Sequence, residues 1–200
     1  MGGRESCFFY LWLTLSSLPF LASFNKTIPP LKMLIGVMGK MGSGKSLAVA
    51  FLANCFSRVL KQPIYTNDPS YKYGHHLESR AELQSVKNGI LVLDEAHGLV
   101  DARNFKDTKQ MKLTHWVMTL RKKNLVAFIV SQHIRQVDIR LRWVMDILML
   151  CEEVRPKPAQ RFKLSFCDFW YGTIGRTLYL DRPERFYNLY DTYAEITPLE

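Results

Sequence analysis

The sequence feature that most constrains the fold is a glycine-rich stretch, GKMGSGKS, which lies between two apolar runs. The run before it, MLIGVM, is typical of a buried strand, and the run after it, KSLAVAFLANCFSRVL, is typical of a helix with one apolar face. The glycines let the backbone curl so that its amides point inward, and the start of the helix adds positive partial charge. This order of strand, glycine-rich turn and helix predicts a phosphate-binding loop.

The loop fits the pattern G-x-x-x-x-G-K-[ST] at every fixed position, which is the P-loop or Walker A motif of nucleoside triphosphatases. We expect Lys45 to reach the β- and γ-phosphates and the Ser46 hydroxyl to bind Mg²⁺. A nucleoside triphosphate with Mg²⁺ is therefore the predicted ligand. We expect ATP, although the motif leaves the choice between ATP and GTP open. The predicted nucleotide-binding residues are those of the whole loop: Gly39, Lys40, Met41, Gly42, Ser43, Gly44, Lys45 and Ser46.

A second motif, ILVLDEAH, places two carboxylates at the end of an apolar strand. In α/β folds, ligands bind beyond the carboxyl ends of the strands, so this position favours a role in the site. Asp94 is expected to hold Mg²⁺, directly or through water, and Glu95 to orient and deprotonate the attacking water. This pair favours hydrolysis over phosphoryl transfer to another acceptor, because a kinase excludes water from its site.

A third motif, LVAFIVSQH, ends another apolar strand in polar residues. Either Ser131 or Gln132 could contact the γ-phosphate and the attacking water, and Gln132 is our preferred sensor. In ATPases of this type, the strand that carries the sensor lies between the P-loop strand and the strand that ends in the metal-binding aspartate. We expect that order here. The predicted catalytic residues are Lys45, Glu95 and Gln132.

The remaining pattern predicts an α/β domain over residues 33–200. Short apolar runs alternate with helical stretches, which is typical of a mostly parallel, doubly wound sheet. A helix is expected over DTKQMKLTHWVMTLRKKN, with Asp107 or Thr108 as its N-cap. Near the end, RFKLSFCDFWYG and RTLYLD predict an antiparallel hairpin, and RFYNLYDTYAEI is expected to be a peripheral element.

The net charge of +9 indicates an anionic partner, such as nucleotide, DNA or an acidic membrane face. Three arginines are candidates for a finger that reaches the γ-phosphate of a neighbouring subunit: Arg121, Arg140 and Arg142. A homo-oligomer is expected on that basis. A later basic run could instead contact a phosphate backbone or lipid headgroups: Arg155, Lys157, Arg161 and Lys163.

The first 32 residues differ from the rest of the chain, because residues 6–25 include no charged side chain. Three interpretations are open: a membrane anchor, a gene start placed upstream of a true start at Met33, or a signal peptide. Lysines follow the apolar segment, so an inserted anchor would leave the remaining domain in the cytoplasm. The cysteines are widely spaced, which favours reduced thiols in a cytosol. We expect a cytoplasmic protein that the leader could attach to the inner face of the host membrane.

The motifs together resemble the zonular occludens toxin (Zot) family, whose members are filamentous-phage assembly ATPases within the FtsK/HerA-type, RecA-like group of P-loop NTPases. The resemblance is carried by MLIGVMGKMGSGKS, GILVLDEAH, LRKKNLVAFIVSQHIRQVDIRLR and FYNLYDTYAEI, in that order. It implies a membrane-associated ATPase that powers virion assembly and export, with phage coat or assembly proteins as partners. It also implies phosphate and metal roles for Lys45 and Ser46, metal and water roles for Asp94 and Glu95, and the sensor role for Gln132.

The chain departs from the family in one respect, because no apolar span follows Val154, where such phage proteins continue into a transmembrane helix. Two other functions therefore stay open. One is a DNA-translocating packaging ATPase, which the basic charge favours. The other is a structural adaptor that binds nucleotide without useful hydrolysis.

Overall fold

The fold is built on one sheet of eight strands, in the order β3-β2-β4-β5-β1-β6-β7-β8. It is seen in a computed structural model that describes residues 32–95, 116, 119–156 and 158–191. The first six strands in this order run parallel to their neighbours, and the last two are antiparallel. The strands are β1 (Met33–Met38), β2 (Ile64–Thr66), β3 (His75–His76), β4 (Gly89–Leu93), β5 (Leu125–Ser131), β6 (Ile147–Arg155), β7 (Arg161–Asp168) and β8 (Ile174–Asp181).

Helices connect the strands and cover the sheet. The described α-helices are α1 (Lys45–Leu60), α2 (Arg80–Ser85) and α3 (Ile139–Val144), and 3₁₀ turns span Leu120–Lys123, Ile134–Gln136 and Pro183–Leu189. Helix α1 links β1 to β2, so the glycine-rich turn lies at the carboxyl end of a central strand, where parallel sheets bind ligands. No helix among the described residues is long and apolar enough to cross a membrane.

The central strands are buried on both faces of the sheet, which explains their continuous apolar sequence. In β1, Ile35 and Val37 pack into the core beneath α1, whereas Leu34 and Met38 pack into the core on the opposite face. All seven residues of β5 are buried. Each fully buried side chain of this kind stabilises the fold by about 1.5–3 kcal/mol, so these strands hold their carboxyl ends in fixed positions.

The structure confirms the predicted fold class, an α/β sheet that is mostly parallel and ends in an antiparallel hairpin. It also confirms that β5 lies between β1 and β4. The predicted helix over DTKQMKLTHWVMTLRKKN and its N-cap lie mostly outside the described residues, as does the apolar leader.

The C-terminal element is peripheral, as predicted, in the part that is described, because most of its residues are exposed or half-buried. Residues 183–191, here called the C-terminal segment, run across α1, and Phe186 packs its ring 4.7 Å from that of Phe51. Tyr190 then pairs with Tyr71 in an isolated antiparallel bridge beside β2. The apolar side chains at 186, 189 and 190 join the core around α1, because α1 would otherwise expose an apolar face to water.

Candidate nucleotide-binding site

The glycine-rich turn between β1 and α1 requires glycine for two different reasons. Gly42 and Gly44 have positive φ angles of 76° and 79°, a conformation that L side chains rarely adopt. Gly39 instead lies against its neighbours, because a Cβ atom there would be 2.4 Å from the carbonyl oxygen of Cys151. The turn is therefore held tightly behind β6, and its backbone faces the open carboxyl edge of the sheet.

Helix α1 begins at Lys45 without a side-chain cap. Its first intrahelical hydrogen bond is donated by the Ala48 N–H to the Gly44 carbonyl at 2.8 Å. The preceding N–H groups of the first turn have no intrahelical acceptor, as at every helix N-terminus. No acidic side chain occupies the first turn of this 16-residue helix. These donors and the helix dipole can together hold an anion.

The Lys45 side chain lies within the turn. Its Nζ donates to the Lys40 carbonyl at 2.9 Å. Burial lowers the pKa of Lys45 from its usual value, and the charge of Asp94 partly opposes that effect. The thiol of Cys151 is a further neighbour, and burial raises its pKa to about 12, so it is uncharged at neutral pH. A cation held by a neutral carbonyl can move to an anionic ligand at low cost.

Ser46 and Asp94 meet at the carboxyl edge of the sheet. The Ser46 hydroxyl donates to Asp94 Oδ2 at 2.7 Å, and Asp94 Oδ1 accepts from the Glu95 N–H at 2.9 Å. Asp94 is only 5% exposed. Burial raises its pKa, and the two hydrogen bonds partly offset the shift. A hydroxyl and a carboxylate oxygen on adjacent elements fit the hard oxygen ligands that Mg²⁺ requires.

Asn67 fixes the backbone of Asp94, and the sequence did not single it out. It follows β2 directly and is buried. Its amide nitrogen donates to the Asp94 carbonyl at 2.9 Å, and its amide oxygen accepts from the Asp94 N–H at 2.9 Å. A buried Asn that is paired with both backbone groups of one residue orients that residue. The one sequence signal was a polar residue at the end of a short strand.

The predicted water-activating and sensor residues lie at the same edge. Glu95 is exposed and adopts a positive φ of 47°, which is uncommon for a non-glycine residue and concentrates at functional sites. Gln132 is exposed and follows β5 directly. The alternative sensor, Ser131, is buried and donates its hydroxyl to Gln136 Oε1 at 3.1 Å. The catalytic roles of Glu95 and Gln132 stay predictions.

A pair of tyrosines lies against the backbone of Ser46. The Tyr71 hydroxyl donates to the Ser46 carbonyl at 3.3 Å, and the Tyr71 and Tyr190 rings meet edge to face with centroids 5.2 Å apart. Burial raises the pKa of Tyr190 to about 12, so both hydroxyls remain protonated donors. Sequence reasoning missed this pair because its members come from a loop and from the C-terminal segment.

Two of the three candidate arginine fingers are engaged within the chain. Arg140 forms an ion pair with Asp138 at 2.7 Å, and Arg142 Nε donates to the Val137 carbonyl at 3.0 Å. The side chain of Arg121 lies outside the described residues. A finger role for any of the three stays a prediction.

Two members of the basic run are paired with acids. Arg161 lies 2.7 Å from Asp181, and Lys163 lies 3.2 Å from Glu152. These contacts reduce the net positive charge on this face, so it attracts a phosphate backbone or lipid headgroups less than the sequence predicts.

A groove of about 560 Å³ opens beside the turn. Its lining includes Lys45 and Ser46 at the start of α1, Phe162 of β7 and, from the C-terminal segment, Tyr187 and Tyr190. The site is therefore made of two parts: a phosphate side that carries the P-loop and the Asp94–Glu95 pair, and a groove whose lining beyond the P-loop belongs to no nucleotide-binding motif.

The order of the strands and the glycine-rich turn at the start of α1 together define a P-loop NTPase fold. Several solved structures share it. The N-terminal domain of zonular occludens toxin from Neisseria meningitidis has a TM-score of 0.55 and 15% identity, covering 80% of this chain and 100% of that one. The genome packaging NTPase B204 from Sulfolobus turreted icosahedral virus 2, solved with ATP-gammaS, has a TM-score of 0.52 and 13% identity, covering 74% and 97%. The flagellar accessory protein FlaH from Methanocaldococcus jannaschii has a TM-score of 0.52 and 10% identity, covering 74% and 84%.

The sequence also matches a family model. Residues 72–157 match the model described as zonular occludens toxin (Zot), which confirms the family resemblance seen in the motifs. The matched region begins after the P-loop and includes Asp94, Glu95 and Gln132. No curated protein matches the chain.

Proposed function

We propose that this protein binds and hydrolyses ATP at the P-loop. The observation that carries the proposal is the 2.7 Å contact between the Ser46 hydroxyl and Asp94, at the N-terminus of α1. It brings the hydroxyl of one motif to the carboxylate of another that lies 48 residues away. Two motifs that served separate purposes would not be expected to bring these two groups into contact.

The residues divide the work by their chemistry. The backbone N–H groups of the turn and of the first turn of α1 bind the phosphate oxygens. Lys45 exchanges its hydrogen bond to the neutral Lys40 carbonyl for a contact with the phosphates, and neutralises the negative charge that develops there. Glu95 is exposed at the edge, where it can orient a water molecule and take its proton. Gln132 is proposed to position the same water.

Ser46 and Asp94 are proposed to hold Mg²⁺. When bound, the ion neutralises charge on the phosphates. The raised pKa of Asp94 means that protons compete with the ion for this carboxylate.

The proposed biological role is an oligomeric motor for filamentous virion assembly or export, on the cytoplasmic face of the host inner membrane. The Zot match over residues 72–157 supports this role, as does the shared fold with the zonular occludens toxin N-terminal domain. Attachment through the apolar leader, and coat or assembly proteins as partners, are parts of the same proposal.

A DNA-translocating motor is the second candidate. The net charge of +9 favours it, and the packaging NTPase B204 shares the fold. Phosphate contacts would make DNA binding fall steeply with salt. The pairing of Arg161 and Lys163 with acids weighs against the later basic run as the DNA surface.

Steady-state ATP hydrolysis by the purified full chain tests the proposal. We expect Mg²⁺-dependent turnover that Lys45→Ala and Glu95→Gln each reduce by at least about 100-fold. Lys122→Ala, on an exposed turn, is a control that should leave turnover unchanged. Undiminished turnover in both site variants would refute the assignment. Stimulation by DNA would favour translocation, and stimulation by liposomes of anionic lipid would favour membrane assembly.

A further inference from the structure

The groove beside the P-loop continues from the point where the phosphates are proposed to bind. Its lining brings together Lys45 and Ser46 at the start of α1, Gln160 just before β7, and Tyr187 of the C-terminal segment. A nucleotide whose phosphates occupy the turn must place its sugar and base in a space that adjoins it. The volume of about 560 Å³ lies within the range of small-molecule sites.

The floor of the groove is apolar and meets the P-loop directly. Phe162 is buried, and its ring lies 2.8 Å from where a Cβ atom at Gly44 would stand. The P-loop and the floor are thus in van der Waals contact. A ligand bound at the P-loop can therefore extend directly over the Phe162 ring.

The outer wall presents an aromatic ring whose orientation is fixed. Tyr187 is 43% exposed, and its hydroxyl donates to Gln160 Oε1 at 2.9 Å. The Gln160 amide nitrogen in turn donates to Glu153 Oε1 at 2.8 Å. This chain of hydrogen bonds holds both the ring and the amide before any ligand arrives, which lowers the entropic cost of binding.

The C-terminal segment that carries Tyr187 is tied to the loop after β2. The Lys72 N–H donates to the Leu189 carbonyl at 3.3 Å, and the Asp191 N–H donates to the Ser70 carbonyl at 2.9 Å. The segment is therefore attached at both ends of the groove: to β8 before it and to this loop after it. It forms a wall of the site and not a loose tail.

We propose that this groove binds the nucleoside part of the triphosphate, with the base against the Tyr187 ring and the Gln160 amide at its edge. The inference rests on the proposed function, because the P-loop must hold the phosphates for the groove to receive the nucleoside. An aromatic ring contacts any base through its π face. Tyr187 would therefore supply affinity, and Gln160 is the side chain placed to distinguish one base from another.

The affinities of the full chain for ATP and for inorganic tripolyphosphate test the inference, because only ATP carries a nucleoside. For Tyr187→Ala we expect ATP to bind about tenfold more weakly, as stacking contacts to aromatic side chains suggest. Tripolyphosphate should bind as it does to the wild type. Tyr187→Phe keeps the ring and should stay within about twofold of the wild type for both ligands. Tyr171→Ala removes a tyrosine that is 84% exposed in the β7–β8 turn, and should change neither affinity.

Photolabelling with 8-azido-ATP gives a second readout that does not depend on a variant. The label is attached to the base, so the cross-link should fall on the peptide that contains Tyr187 or Gln160. A cross-link elsewhere, or an unchanged ATP affinity in Tyr187→Ala, would overturn the subsite while leaving the proposed function intact. A wild-type chain that binds neither ATP nor tripolyphosphate would overturn both.

Discussion

The phosphate side of the site and the groove beside it are built in different ways. The phosphate side uses backbone amides and residues of two sequence motifs: Lys45 and Ser46 from the first and Asp94 from the second. The Ser46 hydroxyl donates directly to Asp94, and the charge of Asp94 acts on Lys45. Beyond the P-loop residues at its edge, the groove uses Phe162, Tyr187 and other side chains that belong to no nucleotide-binding motif. A triphosphate group is the same in every nucleotide, so a fixed set of residues suits it. A base varies, and its contacts are free to differ from protein to protein.

The comparison also separates chemistry from affinity. In the proposed reaction, charge develops on the phosphates, so residues there should change the rate of hydrolysis. The groove residues beyond the P-loop are proposed to contact only the nucleoside, which does not react, so they should change binding more than turnover. Of the four changes that follow, the first two test this division and the other two test the packing around the site. They run from the largest expected effect to the smallest.

Asp94→Asn should show the largest difference between an effect on turnover and an effect on ATP binding. The amide removes a negative charge from the proposed metal site, and we expect turnover to fall about 100-fold or more. ATP binding without Mg²⁺ should change little, because the amides, Lys45 and the groove remain. Asp181→Asn, on an exposed carboxylate that pairs with Arg161, is the matched control. If Asp94→Asn hydrolyses ATP at nearly the wild-type rate, the Asp94 carboxylate is not needed for catalysis at the phosphate side.

Asn67→Ala tests whether the position of Asp94 depends on Asn67, a residue outside the motifs. Loss of both hydrogen bonds to the Asp94 backbone leaves buried polar groups unpaired. We expect turnover to fall about 10- to 100-fold, as for other residues that orient metal ligands. The concentration of Mg²⁺ that gives half-maximal turnover should rise. An unchanged Mg²⁺ dependence would mean that Asn67 serves only the fold.

Gly44→Ala acts where the two sides meet. The positive φ of 79° and the ring of Phe162 both oppose a Cβ atom. We expect the free energy of unfolding to fall by about 2 kcal/mol or more, measured by urea denaturation. Gly172→Ala is a matched control, because Gly172 has a φ of 62° and open space around it. Equal losses in the two variants would show that contact with Phe162 contributes nothing.

Asp68→Asn should have the smallest effect, and on stability alone. Asp68 is fully buried, and burial raises its pKa despite hydrogen bonding from Ser70. A raised pKa means that the folded state binds this proton more tightly, so stability falls as pH rises through the folded pKa. At neutral pH the charged carboxylate is therefore a penalty. We expect the variant to be more stable there by about 1 kcal/mol.

The pH dependence of that difference is the check. The advantage of Asp68→Asn, measured as the free energy of unfolding in urea, should shrink as pH falls through the folded pKa of Asp68, because the wild-type carboxyl then becomes neutral as well. A variant that is less stable than the wild type by the same amount at every pH would contradict this interpretation.

Much of the fold was predictable because it depends on local signals. Buried parallel strands are apolar throughout, so β1, β4 and β5 could be identified from short runs. The glycine pattern identified the turn. Asn67, Tyr71 and Tyr190 could not be assigned to the site in this way, because they are polar or aromatic residues without periodic spacing. Tyr190 lies in FYNLYDTYAEI, a stretch that carries the family resemblance but predicts no role in the site. Their roles depend on partners that are distant in sequence, such as the contact from Tyr71 to Ser46 across 25 residues.

The sequence by itself determined the class of fold and predicted the chemistry at its phosphate side. The spacing from Gly39 to Ser46 and the pair Asp94–Glu95 carry that information in short stretches, because helix starts and strand ends are local features. Only the tertiary structure decided what surrounds them. The C-terminal segment reaches the P-loop because it covers the apolar face of α1. Burial of that face depends on the packing of the whole chain, which no single stretch of sequence encodes.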